Sequence, residues 1–285
     1  MDVPAHLAHL TGTPVAHLHP LGHSHAWALH RADMTDGREL FVKAVDDNDP
    51  DIDGVLTAEA AGLRWLATGH PDLVPSVVAA DERMLVLPWQ PPQPADPAAA
   101  EHLGHDLATL HATHPDTFGA PWPGYIATLP LDNTLGTGEW GTWYAEHRLA
   151  PYLPAAAPEL GRDGVRLVER VIDRITDLAG PPEPPARLHG DLWSGNILWS
   201  GGRALLIDPA AHGGHRETDL AMLALFGAPY LDRILGAYQA ATPLSSGWRQ
   251  RVPLHQLHPL LVHVVLFGGS YRGMLLAAAA SALAN

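Results

Sequence analysis

"LHGDLWSGNILWSGGRALLIDPA", Leu188 to Ala210, sets two aspartates and an asparagine among strand-forming residues. Ile197–Ser200 and Arg203–Ile207 are β-favouring runs around Gly201-Gly202, a pair that marks a two-residue hairpin turn. In that register Ser200 opposes Arg203 and Asn196 opposes Ile207, so Asn196 and Asp208 meet at the hairpin's open end. A carboxylate and an amide oxygen brought together can share Mg²⁺, which takes few protein ligands and completes its shell with phosphate and water. Asp191 precedes them on a loop led by His189-Gly190. A carboxylate so placed can orient a hydroxyl and accept its proton as a phosphoryl group is transferred. The competing reading is a surface hairpin with polar ends, and the rest of the chain decides between the two.

Upstream, "LFVKAV" (Leu40–Val45) alternates like a strand and carries the single Lys43. The acidic loop "DDNDPDIDG" follows, and then "VLTAEAAGLRWLAT" (Val55–Thr68) reads as an amphipathic helix. Leu56, Glu59 and Leu63 share its inward stripe. Phosphoryl transfer needs mainly positioning and charge neutralisation. A base, two metal ligands and a lysine held on the phosphates by a glutamate meet that need. Lys43 or Glu59 alone would read as a solvated surface residue; the ordered set with Asp191, Asn196 and Asp208 points to chemistry.

Short strands near Ser76–Ala79 and Met84–Leu87 complete a small first lobe of several strands and one helix, residues 1–87. "PWQPPQPADP", Pro88–Pro97, is too rich in proline for a helix or a central strand and reads as the linker. Residues 98–285 then turn helical. "AAAEHLGHDLATLHATH" aligns Leu103, Leu107, Leu110 and His111 on one face, and a second helix is expected from about Gly164 to Leu178. "TDLAMLALF" and "LLVHVVLFGGSYRGMLLAAAASAL" read as buried helices, with Pro259 obscuring where the second begins. "PYLPAAAPELG" reads as a spacer.

With 285 residues, 46% hydrophobic and 17% charged, the chain has the composition of a folded protein with a substantial core. A net charge of −14 argues against nucleic acid as the main partner, because phosphate backbones are bound by basic faces. No apolar run reads as a membrane span and the N-terminus lacks a signal-peptide pattern, so a cytoplasmic protein is expected. The absence of cysteine excludes disulfides, a thiol nucleophile and thiol-based redox control. The 19 histidines include the pairs His17/His19 and His23/His25, but without zinc-helix spacing they read as composition rather than a metal site.

The ordered set Lys43, Glu59, "HGDLWSGN" and "IDPA" resembles the kinase-like phosphotransferases of small molecules, which include aminoglycoside and choline kinases. "HGDLWSGN" (His189–Asn196), "GHRETDLAM" (Gly214–Met222), "LFG" (Leu225–Gly227) and "LFGGSY" (Leu266–Tyr271) narrow the resemblance to the fructosamine (ketosamine) kinase family. "TAEAAGLRWL", "LATLH", "HRLAPYL" and "PLSSGWRQR" fall where that family has similar words, so the likeness covers nearly the whole chain. It implies an α+β, two-lobed protein-kinase-like fold with ATP between a β-rich lobe and a larger, mainly helical one. Lys43 would contact the α/β-phosphates and pair with Glu59; Asp191 would be the base; Asn196 and Asp208 would bind Mg²⁺. The Pro88 carbonyl would accept from the adenine amino group, since proline offers a carbonyl and no N–H, and the Gln90 N–H would donate to the ring.

The resemblance further implies that Asp219 braces the catalytic loop and that His189 fixes its geometry. Trp193 would contact the substrate, an aromatic face being suited to cover a sugar. For His215, Arg216 and Glu217 two readings stay open, substrate contact or a loop ion-pair network. The nucleotide-covering stretch, "PLGHSHAWAL", has one glycine, Gly22, where the family is richer. Ser24 would supply a hydroxyl there, with His23 or His25 over the phosphates. Asn133 corresponds to an asparagine that the family carries before a Trp-rich helix. Family members phosphorylate the 3-hydroxyl of ketosamines, so a role in deglycation is implied, with ribulosamine or erythrulosamine favoured over fructosamine. The alternatives are a kinase of another small alcohol, such as an aminoglycoside or choline, and a nucleotide-binding pseudokinase.

Overall fold

The computed structural model describes residues 1–24, 26–45 and 54–284. His25 and nearly all of the acidic loop before Gly54 lie outside the described residues. The chain begins with α1 (Val3–Thr11), capped by the Asp2 carboxylate on the Ala5 N–H. Next come β1 (Val15–Ser24), β2 (Trp27–Met34), β3 (Glu39–Val45), α2 (Val55–Gly69), β4 (Ala79–Ala80) and β5 (Met84–Pro88). These strands form one antiparallel sheet in the order β1-β2-β3-β5-β4.

Strand alternation gives the sheet two faces. Leu40, Val42, Ala44, Met84 and Val86 pack on one face beneath Leu7 of α1. Val45, Leu85 and Leu87 join the opposite core with α2, and Lys43, between Val42 and Ala44 in sequence, is on this side. The sequence reading gave the lobe one helix; α1 is a second, and it is what closes the rear of the sheet. The strand expected at Ser76–Ala79 is the two-residue β4, because Pro75 has no N–H for a ladder and pairing begins only with the Val78 N–H on the Val86 carbonyl, 2.9 Å.

The remainder is mainly helical. In order it contains α3 (Pro97–His111), β6 (Gly124–Ile126), β7 (Leu129–Leu131), α4 (Trp140–Tyr144), α5 (Leu153–Asp173), α6 (Ile175–Leu178), β8 (Ala186–Leu188), β9 (Ile197–Ser200), β10 (Arg203–Leu206) and β11 (His212–Gly214). Then follow α7 (Glu217–Phe226), α8 (Leu231–Ala241), α9 (Trp248–His255), α10 (Leu257–Phe267) and α11 (Arg272–Ala284). A π-helical turn, Ala145–Leu149, separates α4 from α5.

The stretch expected to be a spacer is the first half of α5. Pro154 occupies the first turn, where a missing N–H breaks nothing, and Leu153, Ala156 and Leu160 bury a common stripe. Gly161, with φ 66°, kinks the helix before its second half, so the helix expected from Gly164 is a continuation. Pro259 falls in the first turn of α10 and is tolerated for the same reason. Among the described residues one stretch, Trp248–Ala284, has the length and apolarity of a membrane span, which the sequence reading did not expect. It is three helices, interrupted at Gly268 (φ 70°), and Leu257, Leu260, Leu261 and Leu275 from it are buried in the protein's own core.

Candidate active site

β9 and β10 pair Ser200 with Arg203 and Ile197 with Leu206, and the Ile207 N–H reaches the Asn196 carbonyl at 3.0 Å. The turn residues Gly201 and Gly202 both have positive φ, 57° and 73°, as a tight hairpin of this hand requires. Asn196 and the 207–208 segment therefore sit side by side, as the register in the sequence implied. The hairpin is fastened to the small lobe by the Leu206 N–H on the Leu73 carbonyl (2.8 Å) and to the linker by the Gln93 N–H on the Trp199 carbonyl (2.8 Å).

The loop before the hairpin is clamped from beneath. Asp219, in the first turn of α7, accepts from the His189 N–H (2.7 Å), the Gly190 N–H (3.0 Å) and His111 Nε2 (3.2 Å). Burial would raise its pKa, but these partners outweigh burial and hold it below the ordinary range. His189 bridges the loop to the hairpin: Nε2 donates to the Ile207 carbonyl at 2.9 Å while Nδ1 accepts the Asp191 N–H at 3.3 Å. Gly190 has φ 83°, and a Cβ there would stand 2.1 Å from the Ala210 carbonyl oxygen, so only glycine lets the loop lie against the Asp208–Ala210 segment.

Asp191 is directed into the cleft. Burial pushes its carboxyl up to about 7; the Asn196 Nδ2 donor at 3.1 Å pulls the other way, and the Asp208 and Asp219 charges add to the rise. Asn196 Nδ2 also donates to the Asp191 carbonyl at 2.9 Å. Both Asn196 contacts use Nδ2, which leaves Oδ1 as an acceptor. Asp208 adopts φ 52°, a left-handed conformation that aspartate tolerates at a modest cost, and its side chain is half-exposed toward the cleft.

Lys43 joins the two lobes. Its Nζ donates to Glu59 Oε2 at 2.7 Å and to Asp208 Oδ1 at 3.2 Å, and it lies 4.6 Å from the Trp27 ring centroid. Burial raises the Glu59 carboxyl against the pull of Lys43, whereas at half-exposed Asp208 partial desolvation is outweighed by Lys43, which holds the carboxyl below its ordinary range. One ammonium thus serves two carboxylates, leaving negative charge at Asp208. That charge, together with the amide oxygen of Asn196, is an all-oxygen donor set that fits a hard divalent cation.

Two cavities, each of about 260 Å³, open from this point. One is apolar, walled by Leu21, Leu29, Phe41, Leu87, Leu198 and Ile207, and reaches Pro88 and Gln90. The Trp89 N–H bonds the Glu39 carbonyl while Val86 faces β4, so strand alternation turns Pro88 and Gln90 toward the side where β4 has already ended. The other cavity is walled by Trp27, Trp122, Tyr125, Asn133, Asp191 and Trp193. Ser24, Lys43 and Asp208 line both. Gly22 lies on β1 with φ 117° and lines neither.

Trp193 is 39% exposed at the mouth of the second cavity, lying over Gly195, where a Cβ would come within 2.2 Å of its ring. Trp122, Tyr125 and Asn133 come from the β6–β7 region. Sequence reasoning gave no role to the first two; the signal available was the aromatic pair in "PWPGY", in a segment with no periodicity. His215, Arg216 and Glu217 line neither cavity. Arg216 Nε donates to Glu183 at 2.6 Å, and Glu217 accepts from Arg251 Nε at 2.9 Å with His255 Nε2 3.3 Å away. His215, Glu217 and His255 could converge on a metal ion, but Arg251 already occupies both Glu217 oxygens. Of the histidine pairs, His17/His19 has an ordinary partner, His19 bonding Asp33 at 3.0 Å with His17 beside it at 6.3 Å between rings, and His25 of the second pair lies outside the described residues.

Comparison with known proteins is consistent in direction. Residues 7–284 match the family model for fructosamine kinase. A probable ketoamine kinase of Thermus thermophilus is 35% identical over 262 residues, covering 92% of this chain and 91% of that protein. A crystal structure from Thermobifida fusca, described as a candidate fructosamine-3-kinase, is 53% identical and superposes with a TM-score of 0.96 over 100% of this chain and 99% of the other. A macrolide 2'-phosphotransferase of Brachybacterium faecium, 20% identical over 99% of this chain and 98% of its own, shares the fold at a TM-score of 0.63.

Proposed function

This chain belongs to the fructosamine kinase family, and we propose that it transfers the γ-phosphoryl group of ATP to the 3-hydroxyl of a ketosamine. The observation that carries this reading is the meeting of the two cavities at Lys43 and Asp208. The apolar cavity suits an adenine ring, whose amino group would donate to the Pro88 carbonyl and whose ring nitrogen would accept from the Gln90 N–H. The aromatic cavity suits a sugar-derived acceptor, with Trp193 against its carbon face. Ser24 stands where a hydroxyl can reach the phosphates from either side, and Gly22 gives the covering strand its bend.

In the reaction the acceptor O–H bond and the bond from γ-phosphorus to the bridging oxygen break, and a new O–P bond forms. The proton passes to Asp191 and ADP leaves with the bridging oxygen. Asp191 orients the hydroxyl, and its raised pKa suits a proton acceptor near neutral pH. Lys43, fixed by Glu59, holds the phosphates. Asn196 and Asp208 are the residues that would hold Mg²⁺, which when bound neutralises charge on the transferring phosphates. His189 and Asp219 position the loop. His215, Arg216 and Glu217 form an ion-pair network with Glu183, Arg251 and His255, away from both cavities. Phosphate leaves more readily than hydroxide, so the product is prone to eliminate and release its amine, a repair of glycated amines in the cytoplasm. The acceptor cavity, about 260 Å³ and open to solvent, has room for ribulosamine, erythrulosamine or fructosamine, and the two shorter sugars are the acceptors we favour.

The test is ADP release with Mg-ATP across ribulosamine, erythrulosamine, fructosamine, choline and an aminoglycoside. Turnover of the ketosamines is expected. Turnover of another alcohol with none of any ketosamine would overturn the reading.

A further inference from the structure

Arg148 is among the largest fully buried side chains, 1% exposed, and among the described residues no carboxylate pairs with it. Burying a guanidinium without a counter-charge is costly unless its donors are well used. Its Nη1 donates to the backbone carbonyls of Asp132 and, at 3.0 Å, His147; its Nη2 donates to Asn133 Oδ1 at 3.1 Å; its plane lies 4.4 Å from the Trp143 ring centroid. The π turn that carries it, closed by the Ala150 N–H on the Ala145 carbonyl at 2.9 Å, inserts an extra residue between α4 and α5.

The consequence falls on Asn133. A guanidinium can only donate, so it dictates which end of the Asn133 amide it meets: Oδ1 faces Arg148 and Nδ2 faces away. The far side is equally constrained, because Gly124 packs so closely that a Cβ there would stand 2.7 Å from Nδ2. Nδ2 carries two hydrogens, and its one protein acceptor among the described residues is the Trp122 carbonyl, at a long 3.4 Å. Asn133 lines the aromatic cavity together with Asp191 and Asp208. Hydrogen bonding of Oδ1 to a cation also polarises the amide, strengthening its N–H as a donor.

We propose that Asn133 Nδ2 donates to an oxygen of the acceptor substrate and that Arg148 is the positioning residue that fixes this donor. The wall that carries Asp191 and Asp208 offers acceptors, whereas a carbonyl or ether oxygen of the acceptor requires a donor. Asn133 supplies one whose orientation is set before the substrate arrives. The proposal rests on the ketosamine-kinase reading only for the identity of the substrate.

The decisive variant is Asn133→Asp, which keeps the shape, offers Arg148 a counter-charge and removes both N–H donors. Expected are an unfolding temperature at or above that of the wild type, an unchanged KM for ATP and an acceptor kcat/KM about 10- to 100-fold lower. Arg148→Gln should lower acceptor kcat/KM by a similar factor, and the double variant Arg148→Gln/Asn133→Ala should lose no more than Asn133→Ala alone. An unchanged acceptor kcat/KM in Asn133→Asp overturns the proposal, as does failure of that variant to fold, since Arg148 should accommodate the carboxylate. The measurements use whichever alcohol the wild type phosphorylates, so an error in the ketosamine assignment is seen in the wild type and an error in the Asn133 assignment only in the variants.

Discussion

Asp219→Asn tests how rigidly the loop carrying Asp191 must be held. The native carboxylate accepts three donors, two of them on one oxygen: His189 N–H and His111 Nε2 on Oδ2, and Gly190 N–H on Oδ1. An asparagine has one acceptor oxygen. In its better orientation it keeps the two bonds on the first site and presents an NH₂ group to the Gly190 N–H. That unsatisfied buried donor costs about 1–3 kcal/mol, and loss of charge assistance weakens each surviving bond by about 1 kcal/mol. The sum is about 3–5 kcal/mol, which for a chain of this size lowers the unfolding temperature by about 5–8 °C. Because Gly190 adjoins Asp191, the base is displaced as well, and a displacement of about 1 Å costs on the order of 100-fold in kcat. Thermal unfolding, and ADP release assayed well below the variant's own midpoint, read the two effects separately. A variant with native unfolding temperature and kcat would show that the loop is positioned without Asp219.

Asp191→Asn should abolish transfer yet leave ATP binding by calorimetry nearly unchanged, because Asp191 lies on the acceptor side of the junction. Asp208→Ala should weaken nucleotide binding in Mg²⁺ far more than in EDTA. Trp193→Ala should raise KM for the acceptor about tenfold and leave KM for ATP alone, since an aromatic surface of this size contributes about 1–2 kcal/mol. Acid stability should depend on Glu217: burial would raise its pKa, but His255 and Arg251 hold it at about 2, below the ordinary value of 4.5. A depressed folded-state pKa contributes stability above the unfolded value and loses it as pH falls from about 4.5 toward 2, here on the order of 3 kcal/mol. Glu217→Gln should therefore flatten the unfolding midpoint across that range, and a variant with the wild-type slope would refute the assignment.

The hairpin register, the Gly-Gly turn and the inward stripe of α2 were legible because each is a local pattern with a fixed period. Lys43 and Glu59 could be paired on paper for the same reason: one strand and the next helix fix where their side chains go. The helix in residues 153–161 was hidden because proline in a first helical turn looks the same in sequence as proline in a spacer. α1 was hidden because its nine residues bury only Leu7, too little to set a period. The acceptor wall was hidden for a different reason. β6 and β7 are three residues each, and Arg148 meets Asn133 only through a π turn that no periodicity announces.

The walls of the acceptor cavity have one further consequence. Lys43, Glu59, Asp191, Asn196 and Asp208 are drawn from four segments, β3, α2, the loop before the β9–β10 hairpin and the residues after it, so their arrangement is a property of the whole fold. Trp122, Tyr125 and Asn133 lie in a single run of a dozen residues closed by its own small hairpin. On the proposed reading, substitutions within 122–133 are expected to change KM for the acceptor and leave KM for ATP unchanged, a split that steady-state kinetics would read. On that reading acceptor preference is set by one short run together with Trp193 and the Arg148 that holds Asn133, and it can change while the phosphoryl-transfer residues stay in place.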